Sequence, residues 1–112
     1  LIENFNKFGI KYKYYEMVNF ETINNLYNIL DLYLVTSRVE GGPQAIIECG
    51  LTKTPILSTD VGIAQNILDP KSIFNENNFF EARTNVDYAY NKSKEMSIPL
   101  GMREFINMFK NL

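Results

Sequence analysis

Hydrophobic positions along this chain change period several times, and each change marks an element. Ile2, Phe5 and Phe8 recur at helical spacing ahead of Gly9. They predict the end of an amphipathic helix, with Gly9 as its left-handed stop. Ile10 to Tyr15 alternates, with Lys11 and Lys13 set between Ile10, Tyr12 and Tyr14. This predicts a strand packed through its tyrosines (Tyr12, Tyr14, Tyr15) with a solvated edge. Asn19 offers an N-cap to a helix from Phe20 to Leu30, with Glu21 in its first turn and Ile23, Leu26, Tyr27 and Leu30 as its apolar stripe. Asp31 to Ser37 is short and almost wholly apolar, as in a buried parallel strand.

The alternation then repeats. A helix is predicted from Pro43, at the first helical position, to about Thr52. Pro55 to Thr59 reads as the next strand, Asp60 to Gly62 as a turn, Ile63 to Leu68 as a short helix and Ser72 to Phe74 as a short strand. Val86 to Met96 and Gly101 to Lys110 close the chain as two helices, parted by the Pro99-Leu100-Gly101 break. Phe105, Ile106, Phe109 and Leu112 form a stripe by which the last helix is expected to dock onto the body or onto a missing domain. Strand, helix and strand joined by short links predict an α/β fold: a partial Rossmann-like parallel sheet with flanking helices. Residues 1–112 are expected to form a single partial domain.

Composition narrows the function classes. A net charge of −2 argues against nucleic acid as a partner, since phosphate-backbone binding needs a basic patch. Ile29 to Val35 is the longest strongly apolar run, and Asp31 breaks it, so no segment is expected to span a bilayer. The chain contains no histidine, which removes the commonest general base and zinc ligand. The single cysteine, Cys49, falls inside a predicted helix and reads as a reduced, buried, cytosolic thiol. Because the chain opens on Leu1 inside a helical pattern, a piece of a longer polypeptide is expected.

Candidate chemistry concentrates in Glu40-Gly-Gly-Pro-Gln-Ala-Ile-Ile-Glu48. Two carboxylates eight positions apart are ordinary solvated charges unless their surroundings say otherwise. Here they bracket a Gly-Gly-Pro turn between a strand and a helix, and ligands of open α/β sheets sit beyond the carboxyl ends of the strands. Gly41 and Gly42 let the backbone approach a ligand, and the N–H groups of Gln44 and Ala45 at the helix start favour an anion. Pro43 contributes no N–H to that cradle. Gln44 and Glu48, four apart, share a helix face. Glu48 lies roughly 7 Å along the axis from the helix start, about the distance from a bound diphosphate to the ribose of the same nucleotide. Ser37 and Thr59 end the two strands at this place, as structural caps or as ligand contacts.

With these flanks the resemblance is specific. Asn28 to Ser37, Glu40 to Glu48 and Thr54 to Gly62 together resemble the C-terminal domain of a GT-B glycosyltransferase of family 4, a retaining group with a Glu-x7-Glu signature. The likeness covers about Ile10 to Leu68. It implies a cytoplasmic enzyme, or one peripheral at the inner face of the membrane, of the kind used in polysaccharide biosynthesis. It also implies metal-independent transfer from a nucleotide-diphosphate sugar, needing no cofactor. Glu40 would contact the donor sugar near the reacting carbon. Gly41, Gly42, Pro43, Gln44 and Ala45 would surround the diphosphate, and Glu48 would bind the ribose hydroxyls. Ser37, Arg38 and Gly62 are further candidates.

Where the family commonly has Glu-Gly-Phe-Gly this chain reads Glu40-Gly41-Gly42-Pro43, as in a recurring subset. Lys53 stands where a glycine usually ends the signature helix, and an irregular helix end is expected. In the strand order 3-2-1-4-5-6 the Ile10–Tyr15 strand would be third and Asp31–Ser37 fourth, with the intervening strands absent. The family's basic phosphate-gripping pair and its acceptor domain are absent too. The chain alone is therefore expected to be inactive. A non-catalytic nucleotide-binding module and a GT-B nucleotide-sugar epimerase are the alternatives.

Overall fold

A computed structural model describes residues 1–16, 18–41 and 44–111. At its centre are three short parallel strands in the order β1-β2-β3, with β1 at Tyr33–Val35, β2 at Ile56–Thr59 and β3 at Ile73–Phe74. Tyr33 pairs with Ile56 and Val35 with Ser58, then Ser58 pairs with Ile73 and Thr59 with Phe74. Because all three strands run the same way, the loops after Val35, Thr59 and Phe74 emerge at one end of the sheet. The α/β class and the parallel sheet thus stand as expected.

Among the described residues six α-helices accompany these strands: α1 (Ile2–Lys7), α2 (Phe20–Ile29), α3 (Gln44–Leu51), α4 (Ala64–Ile67), α5 (Val86–Met96) and α6 (Arg103–Lys110). Asn19 caps α2 as expected, its side chain accepting from Thr22 N at 2.8 Å. Asn85 caps α5 in the same way, accepting from Tyr88 N at 3.2 Å. One core joins the layers, with Ile46, Cys49, Ala64 and Ile67 wholly buried and Tyr27, Val35, Ile56 and Ala89 nearly so. Helices α3 and α5 pack tightly against each other at Gly50. A Cβ placed on Gly50 would lie 1.9 Å from Ser93 Oγ and 2.9 Å from Ala89 O, so only glycine allows this packing.

Several expectations are corrected. Ile10 to Tyr15 forms no strand; it runs unpaired and exposed, with Tyr14 at 71%. A strand exists through its ladder, and among the described residues no strand pairs with this segment. Nor is β1 buried on both faces: Val35 is enclosed, while Leu32 and Leu34 on the opposite face are over 40% exposed. Alternate residues of a strand face opposite ways, and only one face of β1 is covered. The stripe of α6 does not dock onto the body, since Phe105, Ile106 and Phe109 all stay exposed and no residue of this helix is buried. Leu112, the last member of that stripe, and Pro43, the expected first residue of α3, lie outside the described residues.

The end of α3 is regular, against expectation. Lys53 adopts φ +56°, Thr54 N donates to Cys49 O at 2.9 Å and Lys53 N to Gly50 O at 3.2 Å. These are the paired bonds of a Schellman motif with lysine in the glycine position. The same motif ends α1 around Gly9 (φ +65°), with Ile10 N donating to Phe5 O at 2.8 Å. At Lys53 the left-handed backbone costs about 1 kcal/mol. Its ammonium, 4.6 Å from the Tyr90 ring centroid, recovers part of that.

The protein exposes 8865 Å², against ~6,300 Å² for a compact monomer of its mass. Its radius of gyration is 16.3 Å, where ~13 Å is usual for this length. Exposed aromatic and aliphatic side chains on α1, the 10–16 segment and α6 contribute to this extended surface.

Candidate functional site

The segment singled out by the sequence leaves the carboxyl end of β1 and enters α3. Ser37 Oγ donates to Glu40 Oε1, turning the first of the two carboxylates back towards the strand end. Thr59, the last residue of β2, donates through Oγ1 to Ser37 O at 2.6 Å and so fixes that loop to the neighbouring strand. Thr59 therefore acts as a structural tie at the strand end, and it also lines a larger cleft. A cleft of about 350 Å³ lies here, lined by Ser37, Glu40, Gln44 and Ala45 against Val35 and Thr36.

Ser37 also borders a second, larger cleft of about 810 Å³, shared with Arg38, Thr59, Asp60, Phe74 and Asn75. It opens over the carboxyl ends of all three strands. Asp60 accepts from Gln65 Nε2 at 2.7 Å, and Gly62 turns the chain at φ +52°. Arg38 is the only basic residue among the described residues lining either cleft.

Gly41 is explained by neither packing nor backbone. A Cβ there would meet no atom within 4 Å, and its φ is not positive. Gly42 and Pro43, the other two residues of the turn, lie outside the described residues.

Glu48 does not share the Glu40 cleft. It lines a third cleft of about 360 Å³ between α2 and α3, with Phe20, Ile23, Asn24, Tyr27 and Leu51. Tyr27 Oη donates to Glu48 Oε2 at 2.7 Å. Burial, and then this bond to an anion, push the Tyr27 phenol far above its ordinary pKa. Burial foremost, with the Glu48 charge behind it, pushes the Cys49 thiol up to about 12. That fits the expected inert, buried cysteine. Tyr33 is raised as well, by burial first and then by the charges of Cys49, Glu48 and Glu40.

Sequence reasoning left Tyr27 on an apolar stripe. Glu48 is 21 positions away on another helix, so no local pattern could pair the two. Thr54 and Thr52 carry no sequence signal of their own. Thr54 Oγ1 donates to Tyr27 O at 2.6 Å, and Thr52 Oγ1 lies 2.7 Å from Thr54 Oγ1 and 2.8 Å from Glu48 O. This hydroxyl chain ties the end of α2 to α3.

Among the described residues no three His, Cys, Asp or Glu side chains converge as a metal site, and no helix is long and apolar enough to cross a membrane. The class defined so far is an α/β protein with a three-stranded parallel sheet and clefts at its carboxyl end. No family model, curated protein or solved structure matches the chain.

Proposed function

We propose that the chain forms one wall of the donor site of a retaining, GT-B type glycosyltransferase of family 4, within a Rossmann-like domain. The observation that carries this reading is the cleft at the end of β1, where Ser37, Glu40, Gln44 and Ala45 meet at the start of α3. A helix start beside the carboxyl end of a parallel strand is where such sheets receive phosphate. Gly41, free of packing and backbone demands, leaves open space for a ligand to approach the main chain.

In this reading the diphosphate of a nucleotide sugar sits at the N-terminus of α3. The helix dipole and the N–H groups of Gln44 and Ala45 stabilise the charge that builds on the diphosphate as the glycosidic bond breaks. Glu40, turned by Ser37, faces the sugar beside the reacting carbon. Glu48 lies one turn beyond Gln44 in the neighbouring cleft between α2 and α3, and it takes the ribose hydroxyls of a nucleotide that reaches across α3 from one cleft to the other. The order β1-β2-β3 corresponds to the second half of a doubly wound sheet, in agreement with this assignment. Arg38 alone cannot neutralise a diphosphate, so the remaining cations and the acceptor site belong to an opposing wall outside residues 1–112.

The test is a binding screen of UDP-, GDP- and ADP-sugars against the intact protein that carries these residues. One donor is expected to bind, and Glu48→Ala to weaken it by roughly tenfold or more, the magnitude of a charged hydrogen bond. Glu40→Gln is expected to abolish transfer while binding persists. Failure of every donor to bind would sink the reading.

A further inference from the structure

We infer that Tyr27 is a positioning residue for Glu48, its phenol holding one carboxylate oxygen so that the other accepts from a vicinal pair of ligand hydroxyls. The inference rests on the donor-site reading, in which that pair is the ribose diol of a nucleotide.

Three observations converge on it. Tyr27 is 9% exposed, and its hydroxyl is spent on the one carboxylate that faces the cleft between α2 and α3. A phenol needed only for packing would find any carbonyl sufficient, and phenylalanine would fill the same volume. Next, Tyr27 is fixed independently of that bond. Its carbonyl accepts from Thr54 Oγ1 at 2.6 Å, and its ring centroid lies 5.7 Å from that of Tyr33. Thr52, 2.7 Å from Thr54, also touches Glu48 O at 2.8 Å, so the phenol and the α3 backbone share one frame. The strut is therefore stiff.

Finally, Glu48 is half-buried, and among the described residues Tyr27 is the only side-chain donor to its carboxylate. A carboxylate offers about four acceptor sites, so this one keeps most of its capacity. Half-burying a charge with one neutral donor is a poor route to stability. It is a good way to hold an acceptor ready. The adjoining cleft of about 360 Å³, walled by Phe20, Ile23 and Leu51, has room for a ring-sized group beside it.

The experiment titrates the intact protein with UDP, GDP and ADP, and with the 2′,3′-dideoxy form of each nucleotide that binds. Wild type is expected to prefer the ribose form by about 10- to 100-fold, and Glu48→Ala to lose that preference. Tyr27→Phe should shrink the preference at least about threefold, with dideoxy affinity and melting temperature nearly unchanged. A purely structural tyrosine would instead weaken both forms equally, and that result overturns the inference. Thr54→Val, which loosens Tyr27 from its other end, should shrink the same ratio by less. If Tyr27→Phe does not fold, an unchanged ratio in Thr54→Val overturns the inference. Equal binding of ribose and dideoxy forms by wild type overturns it, and with it the ribose role of Glu48, but leaves the diphosphate site at the start of α3 standing. Binding of no nucleotide removes both.

Discussion

The segment from Ile46 to Ser93 and the two ends of the chain draw on similar apolar residues, yet they fare differently. In the middle, Ile46, Cys49, Ile67 and Ala89 are sealed between α3, α4, α5 and the strands. At the ends, Phe8, Tyr14, Phe105 and Phe109 stand in solvent, although α1 and α6 are sound helices. The difference is one of partners. An amphipathic period is enough to make a helix, but stability comes from the surface its apolar face lies on. The middle supplies its own surfaces, and the ends do not.

The comparison breaks most decisively at Ile46. Ile46→Ala should cost about 2–5 kcal/mol in urea unfolding, because the atoms removed leave a void in a fully buried part of the core. A cost under about 1 kcal/mol would mean that the middle is loosely packed. The Cys49 thiol gives the next largest effect. Its pKa rises from 9.0 to about 12 on folding, so above pH 9 the unfolded chain loses a proton that the folded one keeps. Stability is then complete below pH 9 and falls by about 1.4 kcal/mol per pH unit up to about pH 12. Tyr27 and Tyr33, both raised, add to the loss above pH 10. Urea midpoints between pH 8 and 11 measure this fall, and Cys49→Ala should delay its onset to about pH 10. The smallest effect lies in α6, where Phe109→Ser should shift stability by no more than about 0.5 kcal/mol. A larger loss would show that this face is covered in solution.

What could be read from the sequence follows the same division. The caps at Asn19 and the left-handed stop at Gly9 are local chemistry, and the span Val86 to Met96 came out as predicted. The parallel strands were legible because apolar runs between short links admit few arrangements. The Ile10–Tyr15 strand failed because alternation describes a strand's faces but not its ladder partner. Lys53 was misjudged because a Schellman turn is set by its hydrogen bonds, and lysine can occupy its left-handed position at a tolerable cost. At the site, the meeting of Ser37, Glu40, Gln44 and Ala45 is short-range and was legible. The Tyr27–Glu48 bond joins two helices and depends on their packing, so it needed coordinates.

The contact at Gly50 acts as a pivot. With its backbone pressed against Ala89 and Ser93, α3 cannot slide across α5 and can only tilt about that point. Gln44, six residues away, sits at the end of a lever roughly 9 Å long. A tilt of about 5° would carry the helix start sideways by roughly 0.8 Å, a displacement large enough to disturb the phosphate site proposed there. The steadiness of the helix start is therefore decided on the far side of the helix, by residues that touch no ligand.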